Sequence, residues 1–507
     1  MSRSSIGVAI ASSTNLASDA GARIASVGGN AVDAAIAAAW VGAIAEPGIC
    51  GPGAGGFVTV WQPDGVPVII DGYIAMPGRG LPPERLGEGT TKVFIGYGGG
   101  VTMHVGHGSV GTPGGPAALA AASERFGRVP WSEVLEPAID IATEGFPLSP
   151  AARHYLEYAG VDVFGWHPDS HAALHDSDGR LKDQGDRIRV DHLAGSLELI
   201  ARNGVEEFYT GDIGHVIAAD MGQNGGLITL EDLAEYRPII RQPLVGRIGS
   251  WRVATNPPPA IGGVVLCAML GSMDGRPSDP WTERDVAHLV DVQTRVLGFR
   301  RERVDTRADV EAAIEELRLA FCSPSTIHTS AVDASGLACS ITLSAGYGSG
   351  VMTPGTGLWL NNCLGEIELN RRGLHAWPVG SRLVSNMAPS VAWDEDGEVI
   401  AIGTPGGDRI PTAMLQVLTN HASAGMTLQE AVDHPRLHIE ATDEGPGVVS
   451  EPGIPRLEVG MPWRSFDDLS MYFGGVGVAS WSPSEGLRAA ADPRRAGAVA
   501  ISGLEGD

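Results

Sequence analysis

The stretch Ser325-Thr326-Ile327-His328-Thr329-Ser330-Ala331-Val332-Asp333 decides how this chain is read. It opens a strand-like run that turns at Ala334-Ser335-Gly336 and returns as Leu337 to Leu343, which predicts a β-hairpin. Ser390 to Trp393 and Val399 to Gly403, joined across Asp394 to Gly397, predict a second hairpin, and Ala498 to Ser502 a final strand. A helix is expected from about Asp408, with Pro411 in its first turn, where proline is tolerated.

Upstream of Thr326 the pattern is different. Two helices are expected at Ala17 to Val27 and Ala31 to Ala45, broken by Gly28-Gly29-Asn30 and stopped before Pro47. Strand-like runs follow at Phe57 to Trp61 and Val68 to Asp71, then a turn-rich stretch to Gly115. Residues 116 to 240 read as helical, with apolar spacing in Pro116 to Phe126, Trp131 to Glu144, Leu193 to Asn203 and Ile213 to Gln223. The change from helices to hairpins at Thr326 marks a functional boundary.

Composition narrows the class. A chain of 507 residues holds about three domains or one large layered fold. Its 35 basic and 60 acidic residues leave a formal charge of −25, which repels a nucleic-acid backbone or an anionic membrane. Cys50, Cys267, Cys322, Cys339 and Cys363 are odd in number and lack CxxC spacing, against a disulfide framework or a zinc site. Ile6 to Ala11 is too short for a signal h-region, and the run Ala34 to Ala45 is a buried helix, too short for a membrane span. A soluble, cytoplasmic protein without metal or cofactor is expected.

Several local patterns have plain readings. A threonine at a strand start is ordinarily structural. His328 shares the Thr326 face by strand alternation and is read as a structural hydrogen-bonding residue. His104 and His107 form an HxxH with no third ligand and are read as loop residues. Gly51-Pro52-Gly53-Ala54-Gly55-Gly56 matches GxGxxG, yet a strand follows where a dinucleotide site needs a helix. Cys363 is read as buried packing.

What overturns the plain reading of Thr326 is an ordered set of motifs. Gly355-Thr356-Gly357-Leu358-Trp359-Leu360-Asn361-Asn362, Ser385-Asn386-Met387-Ala388-Pro389 and Gly403-Thr404-Pro405-Gly406-Gly407-Asp408 follow the hairpin. Gly28 to Ala35, Gly111-Thr112-Pro113-Gly114, Asn224 to Thr229 and Pro257-Pro258-Pro259 precede it. Together, over nearly the whole chain, they resemble the γ-glutamyltranspeptidase family.

That resemblance implies the α+β class and the four-layer αββα sandwich of N-terminal-nucleophile hydrolases. It implies self-cleavage into a large subunit, residues 1–325, and a small catalytic subunit, residues 326–507, which stay associated as one intertwined fold. Thr326 becomes the nucleophile, and its freed α-amine, with an unperturbed pKa of about 7.7 to 8.0, serves as its base. Gly406 and Gly407 supply the backbone donors of the oxyanion hole, each such donor being typically worth about 2.7 to 4 kcal/mol. Ser344 stands where the family has a second hydroxyl near the nucleophile.

Departures from the family concern recognition. The arginine that holds the glutamyl α-carboxylate falls on or beside Tyr73 here. Cys363 and Glu366 stand where Gln or Glu and then Asp are usual, and the loop Ala345-Gly346-Tyr347 is about two residues short. Ser385 and Asn386 replace a pair of serines. Tyr73, Glu366, Ser385 and Asn386 are therefore the expected substrate-binding residues. The leading expectation is an amide hydrolase or acyltransferase of small-molecule amides with altered acyl specificity. The alternatives are a true γ-glutamyl hydrolase or transpeptidase acting on glutathione, with Arg79 or Arg382 recruited to the carboxylate, and a non-catalytic binding homologue.

Overall fold

The computed structural model describes residues 6–303 and 326–503, apart from positions 64, 86–87, 98–99, 274–276, 279, 368, 371–372 and 443–444. Thr326 is described. Ser325 and Cys322 lie outside the described residues, and so does the expected division at residue 325.

Two large antiparallel sheets form the centre. In chain order their strands are β1 (Val8–Ser12), β2 (Gly55–Trp61), β3 (Val68–Gly72), β4 (Ile239–Arg241), β5 (Leu244–Ile248), β6 (Trp251–Thr255), β7 (Ile327–Asp333), β8 (Ala338–Ser344), β9 (Ser390–Trp393), β10 (Val399–Gly403), β11 (Gly477–Ser482), β12 (Gly486–Ala491) and β13 (Ala498–Ser502). One sheet runs β13-β1-β7-β8-β2-β3-β4, and the other runs β12-β11-β10-β9-β6-β5. β7 packs against β10 and β11 of the facing sheet.

Helices cover the outer faces. On the first sheet lie α1 (Asn15–Ser26), α2 (Ala31–Ala45) and α3 (Gly115–Phe126), with α4 (Trp131–Glu144) packed on α2. On the second lie α5 (Ile261–Ser272) and, after α6 (Glu283–Arg303), which packs on α5, α7 (Ile410–Thr419). The result is the expected α+β, four-layer αββα sandwich.

The sequence explains why the hairpin is central. Every residue of β7 and β8 is buried. Apolar residues meet α2, where Gly42 permits close approach: a Cβ there would lie 3.2 Å from Ile327 Cδ1. The other face carries small hydroxyls and one histidine, and it meets the second sheet instead of solvent. Ser330 Oγ donates to Gly477 O at 3.1 Å and Ser340 Oγ to Ile402 O at 2.9 Å, so the polar face is satisfied across the layers. α2 is buried along its whole length and starts at a reciprocal cap between Asn30 and Asp33.

Other elements were partly hidden. The stretch read as turn-rich contains a hairpin of Thr91–Ile95 with Val101–Val105. The region read as helical ends in the three-residue edge strand β4, too short for a visible alternation. The terminal run Ile6 to Ala11 is largely β1, which pairs with β7 and β13 and is buried on both faces, so it also lacks alternation.

Candidate active site

Strand register assembles the site. Ile327 pairs with Leu343, Ser344 with Gly55, and Gly56 with Gly72. One further step along each ladder sets Thr326 opposite Ser344 and Gly55 opposite Tyr73. Thr326, Ser344, Gly55 and Tyr73 thus lie in one row across β7, β8, β2 and the end of β3, with neighbouring strands about 4.8 Å apart. Gly55 has no room for a side chain in that row, because Ile74 already fills the space and a Cβ there would lie 2.8 Å from Ile74 N.

The second sheet brings the glycines. β10 ends at Gly403, against the ring of His328, where a Cβ would lie 2.4 Å from His328 Cε1. Thr404-Pro405 then lead to Gly406, which caps the 3-10 turn Gly407–Arg409 that runs on into α7. The turn uses the Gly406 carbonyl, which accepts from Arg409 N at 3.2 Å. The Gly406 and Gly407 amides sit at the helix start, where N–H groups have no intrahelical acceptor. Gly406 has φ 132° and approaches Gly474 so closely that a Cβ would lie 2.8 Å from its Cα. Gly406→Ala is therefore expected to lower kcat roughly 10²-fold with little change in KM, measured by steady-state kinetics on any accepted amide.

His328 is held by Thr342 Oγ1 at 2.9 Å and Ser330 Oγ at 2.7 Å. Burial pushes its imidazole down to about 3, so it is neutral and structural at neutral pH. This agrees with the plain reading.

Beyond Gly55, the residues expected to bind substrate come together. Tyr73 is buried, stacks on Phe57 with centroids 5.6 Å apart, and its hydroxyl hydrogen-bonds with Cys363 and Ser385. The Cys363 thiol also meets the Glu366 carboxyl. Burial, together with the nearby Glu366, raises both the Tyr73 phenol and the Cys363 thiol well above their ordinary values, so both stay protonated. Cys363 is accordingly a packed thiol and not a nucleophile. Asn386 is buried, and neither its amide oxygen nor its nitrogen has a hydrogen-bond partner among the described residues.

Sequence reasoning missed the role of Asn361. Its Nδ2 donates to Gly53 O and Gly111 O, each at 2.9 Å, and its Oδ1 accepts from Gly111 N and Cys363 N. One buried amide thus ties the glycine-rich turn, the Gly111-Thr112-Pro113-Gly114 segment and the turn at Cys363 together, which is why the glycine-rich turn is structural here. Its signal was the Asn361-Asn362 pair itself, with both side chains buried.

Two cations that could have replaced the missing arginine are already engaged. Arg79 Nε lies 3.7 Å from Asp232 Oδ1. Arg382 Nε lies 3.5 Å from Asp71 Oδ1, and its guanidinium stacks 4.3 Å from the centre of the Tyr236 ring. Both line a separate cavity of about 170 Å³ whose walls include none of Thr326, Tyr73 and Glu366. His107, of the HxxH, is paired with Asp220 at 3.2 Å. No helix among the described residues is long and apolar enough to cross a membrane.

Glu46, at the end of α2, is buried, accepts from Ser149 Oγ at 3.3 Å and feels Arg495. Burial raises its carboxyl to about 7 from an ordinary 4.5. Because the folded value is the higher one, its contribution to stability is complete below about pH 4.5 and is lost as pH rises through about 7, about 3 kcal/mol in all. Glu46→Gln is expected to remove that loss, seen as a smaller decline in urea-unfolding free energy between pH 5 and 8 than in the parent chain.

A hydroxyl residue opening a central strand of an αββα sandwich, with a glycine-bounded helix start at the end of a strand of the second sheet that packs against it, is the arrangement of a hydrolase of the N-terminal-nucleophile class. The profile of the family described as Gamma-glutamyltranspeptidase matches residues 17–321 and 319–502, and the chain belongs to that family. It is 30% identical to the glutathione hydrolase proenzyme of Escherichia coli over 85% of this chain and 80% of that one. It is also 30% identical to the acylase ACY 1 proenzyme of a Pseudomonas species, over 96% of this chain and 92% of that one. The crystal structure of cephalosporin acylase from Bacillus halodurans superposes with a TM-score of 0.80 at 26% identity, covering 98% of this chain and 96% of that one. The protein is an enzyme of the hydrolase and acyltransferase type that this family comprises.

Proposed function

We propose that this protein is a precursor that cuts itself before Thr326 and then hydrolyses, or transfers the acyl group of, small amides whose acyl part is not an ordinary γ-glutamyl group. The Thr326 hydroxyl attacks the amide carbonyl while its α-amine takes the proton, and Gly406 and Gly407 stabilise the oxyanion. Water or an amine then releases the acyl group. Ser344 supports the nucleophile from the neighbouring strand, and residues 1–325 and 326–507 remain associated.

The observation that carries the acyl reading is Tyr73, a neutral buried phenol at the position where a carboxylate clamp would require a cation. A carboxylate brought beside Tyr73, Cys363 and Glu366 would be buried among neutral donors and a carboxyl group, which is strongly disfavoured. The long coverage of an acylase and of a cephalosporin acylase structure supports the same reading. The similarity to a glutathione hydrolase proenzyme favours the second reading, a true γ-glutamyl enzyme. The buried, singly placed thiols of Cys50, Cys339 and Cys363 support a cytoplasmic location. An amide-library screen by mass spectrometry, with Thr326→Ala as control, separates the readings: preferred release of other acyl groups supports the first, and efficient, saturable glutathione turnover supports the second.

A further inference from the structure

Arg495 reaches the Thr326 main chain across 169 positions of sequence, its Nη1 donating to Thr326 O at 3.2 Å. It sits in a 3-10 turn, Pro493–Arg495, between β12 and β13. A buried ion network anchors this turn. Arg494 Nε donates to Glu451 Oε1 at 2.7 Å, Arg494 Nη1 to Asp492 Oδ1 at 3.1 Å, and Arg436 Nη1 lies 2.7 Å from Asp492 Oδ2. The Arg495 stem lies on Gly475, where a Cβ would come within 2.8 to 3.0 Å of Arg495 Cδ, Cβ and Cγ. Gly475 N in turn donates to Thr404 Oγ1 at 2.9 Å, two residues before the Gly406 amide. Thr326 and the turn at Gly406 are thus linked through one arginine side chain, the first by its guanidinium and the second by its aliphatic stem on Gly475.

We propose that Arg495 is a positioning residue for the reaction, fixing the Thr326 main chain and keeping its freed α-amine in the uncharged, proton-accepting form. Covalent geometry places the amine of a residue within about 3.5 Å of its own carbonyl oxygen, so the guanidinium lies within several ångströms of the amine. A cation at that range disfavours ammonium and favours the free base. Among the described residues, the charged or titratable groups on the elements packed about Thr326 include Glu46 at the end of α2 with Cys50 near it, the Asp408–Arg409 ion pair ahead of α7, Glu366 and Tyr73 beyond Ser344, and His328 on its own strand. Glu46 opposes Arg495 when it is ionised. The proposal rests on Thr326 being the nucleophile.

The test is the pH dependence of kcat for the cleaved enzyme and its variants on one accepted amide. Arg495→Ala is expected to lower kcat about 10- to 100-fold with KM within about threefold. It should also move the acid limb of kcat up by about one pH unit. Arg495→Lys should restore the limb, and Arg495→Gln, which keeps a donor without the charge, should shift it as alanine does. Glu46→Gln should move it the other way. An unshifted limb in the alanine and glutamine variants overturns the proposal, whatever happens to their stability. If Thr326→Ala itself still turns over the amide, the nucleophile assignment fails. If Thr326→Ala is inactive and the Arg495 variants behave as wild type, only the positioning role fails.

Discussion

Thr326→Ala is expected to remain one chain and to turn over amides roughly 10⁴- to 10⁶-fold more slowly than the parent, the range for removing a nucleophile that acts as a unit with its base. Both effects have one cause. The hydroxyl that attacks the preceding carbonyl during cleavage is the one that later attacks the substrate, and without cleavage there is no α-amine to accept its proton. Alanine fits the space, since Thr326 is buried at a strand start and its removal leaves the ladder of β7 with β1 and β8 intact. The variant should therefore stay folded, with a melting temperature near that of the uncut parent. Denaturing electrophoresis and steady-state kinetics check the two halves independently. A Thr326→Ser variant should cut and turn over, because serine keeps the hydroxyl.

The second large effect concerns the acyl group. The wild-type enzyme should turn over γ-glutamyl-p-nitroanilide at least tenfold less efficiently than its best amide, and Tyr73→Arg should raise γ-glutamyl kcat/KM about 10- to 100-fold. An arginine at that position would face Ser385 and Glu366 from the row that contains Thr326, with Gly55 between. A charge-assisted pair with the α-carboxylate contributes about 1.5 to 3 kcal/mol, which sets the size of the change. Tyr73→Phe serves as the control: it removes the hydroxyl that bridges Ser385 and Cys363 without adding charge, and it should leave γ-glutamyl turnover low. A wild-type enzyme already efficient on γ-glutamyl donors would favour the second reading.

Much of the fold was legible where side-chain pattern and structure share a period. Ala31–Ala45, Trp131–Glu144, Ser390–Trp393, Val399–Gly403 and Ala498–Ser502 lie where their apolar spacing and flanking breakers put them. β1 and β4 were not legible: one is buried on both faces and the other is three residues long, so neither shows a period of two. The hairpin at Thr326 alternates apolar and polar residues although both its strands are buried, because its polar face meets another sheet, a distinction visible only once both layers are packed. Tyr73, Cys363, Glu366 and Ser385, distant in sequence, lie together in the structure. Asn361 and Arg495 were invisible as partners, because a side chain that bonds main-chain carbonyls hundreds of residues away leaves no spacing signal.

The central claim is that Thr326 becomes an N-terminus, and intact mass spectrometry of the purified wild-type protein tests it most directly. Cleavage at the proposed bond gives a fragment of 182 residues (507 minus 325) beginning at Thr326, together with its 325-residue companion. A protein that stays whole after prolonged incubation, or a fragment that begins at any other residue, contradicts the account.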